Sequence, residues 1–123
     1  MTNYIDGFVF PIEKVHLDEY KTVAHKVAEI WKEHGALSYY EFVGDETLDG
    51  TKSFADIVKA KADEDVVFGW VVFPSKEIRD KANASVPIDP RMNELVAPLV
   101  DPQRLIFDAS KMAYGGFRPL TEK

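Results

Sequence analysis

From Val66 to Phe73 the chain reads Val-Val-Phe-Gly-Trp-Val-Val-Phe, without a charge and almost entirely β-branched or aromatic. Such a run is a strand apolar on both faces, and that kind of strand lies inside a sheet. Pro74-Ser75 stops it, and Ser75 caps a helix whose apolar side is Ile78, Ala82 and Val86. Near the start, Tyr4 to Phe10 reads as a first strand ended by Pro11. Tyr4, Asp6, Phe8 and Phe10 point one way, Ile5, Gly7 and Val9 the other. From Leu17 to His34 the residues Tyr20, Val23, Ala24, Val27, Ile30 and Trp31 recur at helical spacing. His16 stands at the N-cap, Val15 and Tyr20 are placed to form a hydrophobic staple, and Gly35 ends the helix.

Ala36 to Val43 reads as a second strand, followed by an exposed turn region from Gly44 to Thr51. Ser53 to Ala60 fits either a helical turn or a short edge strand. Asp89-Pro90 opens a short third helix over Arg91 to Val96, Leu105 to Phe107 is expected to be extended, and Met112 to Phe117 forms the last strand. The order is that of an α+β, ferredoxin-like βαββαβ protomer, one domain over 1–123 with an antiparallel sheet and helices on one face. Because the inner strands look apolar on both sides, the second face needs a cover. The simplest cover is a second copy, so the expected assembly is a homodimer.

Length and charge narrow the picture further. At 123 residues the chain can bury a core without a disulfide or metal, and it has no cysteine for a thiolate nucleophile. A net charge of −6 without basic runs argues against nucleic acid and anionic membranes as partners. The first residues carry no basic, apolar leader, and no segment approaches the about 20 apolar residues of a membrane span, so a cytoplasmic protein is expected. No cofactor is called for.

Several segments carry a resemblance: Tyr4-Ile5-Asp6-Gly7-Phe8, His34-Gly35-Ala36-Leu37 leading to Glu41, Val66 to Trp70, Pro74-Ser75-Lys76, Arg79-Asp80, Asp89 to Met92, and Tyr114 to Phe117. In this order they resemble an uncharacterised bacterial family, a domain of unknown function within the dimeric α+β barrel superfamily. The resemblance implies a ferredoxin-like protomer, a barrel-like dimer and a pocket between sheet and helices. That superfamily includes cofactor-independent monooxygenases acting on phenols, haem-degrading enzymes and isomerases, and a fold alone does not choose among them.

Candidate chemistry begins with Asp6 and Glu41, the acids placed inside strands. Among aromatics, either would have a raised pKa and could take a proton from a phenol or enol; the alternative is a strand-end carboxylate paired with Arg79, Arg91 or Lys111, or simply solvated. His34 falls in the apolar stripe and is a candidate acid, base or haem ligand, or a helix-end residue favoured by the dipole; His16 sits at the cap and His25 on the solvated side. Trp70, Tyr39 and Tyr114 could wall a pocket for a small aromatic or apolar molecule, or simply be core. Arg79 and Asn83 could fix a ligand carboxylate, or Arg79 could reach an acid across the dimer. Gly7, Gly69 and Gly115 are expected on one face, as a groove floor or a site of close packing. Asp45, Thr47, Asp49, Gly50, Ser53 and Asp56 match calcium-loop spacing, but a strand precedes them and Asp stands where the bidentate Glu belongs. Two function classes remain: a small-molecule binder or cofactor-independent enzyme, and a non-catalytic homodimeric interaction or stress-related module.

Overall fold

The computed structural model of the chain describes residues 2–123. Its strands are β1 (Tyr4–Glu13), β2 (Ser38–Val43), β3 (Glu64–Phe73) and β4 (Ala113–Phe117), and its helices α1 (Leu17–Glu33), α2 (Phe54–Ile57), α3 (Lys76–Ser85) and α4 (Pro90–Val96). The strands form one antiparallel sheet in the order β2-β3-β1-β4, so the uncharged run from Val66 lies inside it. This is the expected ferredoxin-like α+β arrangement. Ser75 accepts a hydrogen bond from the Ile78 N–H at 3.1 Å and Asp89 accepts one from the Arg91 N–H at 3.0 Å, which fixes where α3 and α4 begin.

Register decides which side chains meet the helices. Asp6 pairs with Val71, Phe8 with Gly69 and Phe10 with Val67, so these residues share the helix-covered face. The core is built there from Phe10, Ile12, Val67 and Phe73 against Ile30 of α1 and Ala82 of α3. Phe10 meets the edges of Tyr20 and Phe107 at centroid distances of 5.4 and 5.1 Å. Each such aromatic contributes about 1.5–3 kcal/mol by burial.

The opposite face carries no helix layer. Tyr40, Phe42, Phe68, Trp70 and Phe117 project from it, and Trp70 packs on Phe42 with the rings nearly parallel at 5.5 Å. Phe42 and Phe117 remain 56% and 55% exposed. Phe54 of α2 reaches the same side and stacks on Phe68 at 5.3 Å.

Four local expectations are corrected or resolved. β1 runs through Pro11 to Glu13, because β4 stops opposite Val9 and the ladder on that side has ended where the missing N–H falls. Val15 is 81% exposed, so no staple forms with Tyr20, and His16 makes no side-chain cap. Leu105 to Phe107 is not a strand; the Ile106 and Phe107 N–H groups both donate to the Leu99 carbonyl instead, at 3.0 and 2.8 Å. Ser53 to Ala60 takes the helical alternative as α2, with Ser53 accepting from the Asp56 N–H at 3.1 Å.

Candidate active site between α1 and β2

Glu41 pairs across the ladder with Gly69 and Tyr39 with Val71, which turns both side chains of β2 toward the helices. α1 supplies Tyr20 above them. The Tyr20 hydroxyl donates to Glu41 Oε1, and the Tyr39 hydroxyl donates to Glu41 Oε2 at 3.0 Å. Beside this carboxylate lies a cleft of about 550 Å³, walled by Leu17, Ala24, Ala28 and Val67, with Lys21 and His25 among its exposed lining residues. That volume is in the range of small-molecule sites.

Burial pushes the Glu41 pKa above the ordinary 4.5, while the two phenol hydrogen bonds and the nearby His25 pull it part of the way back. Burial and the facing Glu41 also push the Tyr20 and Tyr39 hydroxyls upward, so both stay protonated as donors. The arrangement is a half-buried carboxylate with raised proton affinity, held in place from both sides and open to a cleft. A carboxylate so placed can act as a general base.

A second polar cluster lies under the other edge of the sheet. Asp6 is fully buried. Its Oδ1 accepts from Arg79 Nε at 2.9 Å, and its Oδ2 accepts from the Tyr114 hydroxyl at 2.5 Å and from Asn83 Nδ2 at 3.4 Å. The Arg79 guanidinium also donates to Asp80 and sits 5.0 Å from the centre of the Tyr4 ring. Arg79 therefore pairs with an acid of its own chain rather than reaching across a dimer. The cluster joins β1, β4 and α3; Asp6 is paired with a guanidinium and, unlike Glu41, lines no cleft, so its geometry is that of a tie rather than a free base.

His34 lies apart from both assemblies. Its Nδ1 is 2.9 Å from Ser85 Oγ and its Nε2 is 3.0 Å from Asp89 Oδ2, so the ring links the ends of α1 and α3 to the start of α4. Asp89 is held well below the usual carboxylate range, chiefly by Arg91 and then by His34. None of these residues lines the Glu41 cleft.

The three glycines do not share a face. Gly7 and Gly115 are direct partners on the open side, where the Phe117 ring lies over them: a Cβ on either would come within 3.3 or 3.6 Å of it. Gly69 faces the helices, and its missing Cβ admits the Phe8 ring and the Tyr40 carbonyl, at 2.5 and 2.6 Å from where that atom would stand. Trp70 lies on the open face and does not line the cleft, although Tyr40 and Phe42, on which it packs, do.

Of the sequence candidates, the structure thus joins Glu41 with Tyr39, beside Gly69 on the neighbouring strand, and Asp6 with Arg79, Asn83 and Tyr114; it separates His34, Trp70 and Gly115 from both groups. Sequence reasoning missed Tyr20, Lys21 and His25 at the cleft. The available signal was Tyr20 itself, since a phenol on an apolar helix stripe needs a partner for its hydroxyl. Among the described residues no group of histidines and acids is arranged to hold a metal, and no helix is long and apolar enough to cross a membrane.

The uncharacterised protein YbaA of Escherichia coli K12 is 39% identical over 121 residues, covering 98% of each chain. Among solved structures, SnoaB, a cofactor-independent oxygenase from Streptomyces nogalater, superposes with a TM-score of 0.57 at 14% identity, over 99% of this chain and 97% of its own. A NIPSNAP family protein of unknown function from Agrobacterium tumefaciens gives 0.58 at 16% identity, over 96% and 88%. A dimeric ferredoxin-like protein from an uncultured marine organism gives 0.56 at 10% identity, over the full length of both chains. At these identities the structural likeness speaks to fold alone, the ferredoxin-like α+β arrangement. Residues 3–108 match the family model described as a protein of unknown function, DUF1428, and the chain belongs to that family.

Proposed function

We propose that the cleft between α1 and β2 is a small-molecule site in which Glu41 accepts a proton from an acidic O–H or C–H, the first step of a cofactor-independent oxygenase or isomerase. The observation that carries this reading is Glu41 itself: a carboxylate with raised pKa, fixed by Tyr20 and Tyr39, at the side of a cleft. Proton abstraction needs a base poised above the ordinary carboxylate range and held within reach of the substrate. SnoaB, described as a cofactor-independent oxygenase, has the same fold and adds weight at the level of fold alone. The aromatic open face is the interface of a homodimer, and Tyr40 and Phe42, which also line the cleft, put the cleft beside that interface.

The base role is tested without knowing the final reaction. The solvent-exchangeable C–H of a bicyclic enolisable ketone such as β-tetralone is followed by NMR in deuterium oxide. The wild-type protein should speed exchange over buffer, and Glu41→Gln should lose about 10²–10⁴ of that acceleration while keeping its circular dichroism. The sign with pH follows from the raised pKa: the base works when ionised, so exchange should rise with pH through a midpoint above 4.5. Equal exchange by the wild-type and Glu41→Gln proteins would remove Glu41 from the role.

A further inference from the structure

The rim of the cleft is chemically different from its interior. Lys21 and His25 stand four residues apart on α1 and so share one side of the helix. Both are exposed, and both line the cleft that holds Glu41. Glu19, the adjacent acid of this helix, is already bound to Arg104 at 2.6 and 3.1 Å, and so does not neutralise the rim. Lys21 has no ion-pair partner among the described residues, whereas Arg79, Arg91 and Arg104 all do. Asp18 also lines the cleft, one turn before Lys21, and it would repel an anion there. A negative group entering the site therefore seats toward Lys21 and His25.

Taking the cleft as the proposed active site, we infer that its substrate class is a flat aromatic or enolic acid with two ends: a carboxylate held by Lys21 and His25, and an acidic hydroxyl or C–H presented to Glu41. The interior suits the ring, since Leu17, Ala24, Ala28 and Val67 are apolar. Charge bookkeeping agrees with the assignment. When the ligand O–H breaks, its proton forms the O–H of Glu41, the ligand gains one negative charge and Glu41 loses one. The site's net charge is unchanged, and the rim lysine favours the more anionic ligand. In a protein of net charge −6, an unpaired lysine beside an interior carboxylate also gives anions a local reason to enter there.

The test is calorimetric titration with three matched probes. One is a hydroxynaphthoate with hydroxyl and carboxylate at opposite ends; the others are the naphthol lacking the carboxylate and the naphthoate lacking the hydroxyl. The inference expects the hydroxynaphthoate to bind about tenfold more tightly than the naphthol, with an advantage that shrinks as salt is added. Lys21→Ala should weaken it about threefold to tenfold and leave the naphthol unchanged. If hydroxynaphthoate and naphthol bind equally, or Lys21→Ala affects neither, the substrate class is overturned while binding that depends on Glu41 keeps the cleft itself. Ala24→Trp, which fills the cleft, separates the two failures: probe binding that survives both Ala24→Trp and Glu41→Gln would overturn the cleft and the substrate class together. No binding of any probe to the wild-type protein would do the same.

Discussion

Arg79→Met is expected to destabilise the protein by about 3 kcal/mol, the low end for breaking a buried pair, because its guanidinium is partly solvated while Asp6 is not. The loss comes from what remains. Asp6 would keep a charge with 1% side-chain exposure and only the Tyr114 hydroxyl and the Asn83 amide to answer it. For a chain of this length that corresponds to a fall in Tm of about 10 °C, read by calorimetry or thermal circular dichroism. The double variant Asp6→Asn/Arg79→Met should recover much of the loss, since the buried charge is then gone, and the resulting coupling identifies the pair rather than the packing of Arg79 as the cause. A single-variant loss below about 1 kcal/mol would mean that solvent already serves Asp6. Gly116 belongs to the same unit, because a side chain there would collide with the Tyr4 hydroxyl and with Arg79 Nη2.

Phe68→Glu is expected to convert a dimer of twice 13.9 kDa into a monomer without loss of secondary structure. Phe68 is 42% exposed and lies in the patch formed with Phe42, Trp70 and Phe54. In the monomer the new carboxylate reaches water, whereas at a sheet-to-sheet interface it would be buried without a partner. Self-association should weaken about a hundredfold or more, measured by sedimentation or native mass spectrometry. A wild-type monomer, or a Phe68→Glu variant as dimeric as the parent, would take the aromatic face out of assembly. Another partner would then have to cover it.

The uncharged run from Val66, the Ser75 cap and the Asp89-Pro90 signal were legible because each is a local rule that tertiary packing did not override. The alternation around Asp6 was legible for the same reason, and the pairing of Asp6 with Arg79 was among the readings it allowed. The faces of Gly69 and Trp70 were not legible. They depend on the offset between β1 and β3, and a slip of one residue would exchange every side chain between the two surfaces. The cleft was only half visible. Glu41 and Tyr39 stand two apart on β2 and could be linked by strand periodicity. Their partners on α1, Tyr20 and His25, could be linked to them only by the placement of the helix over β2, which no spacing within the sequence encodes.

The central claim is that Glu41 is a base poised inside a ligand site. Its most direct test is an NMR titration of the protein with carbon-labelled glutamate side chains, with Glu41 assigned by comparison with Glu41→Gln, in the absence and presence of the hydroxynaphthoate. The Glu41 carboxyl should titrate above 4.5 in the free protein, and its resonance should move when the ligand is added. A carboxyl that titrates at or below the ordinary value and ignores the ligand would contradict that claim.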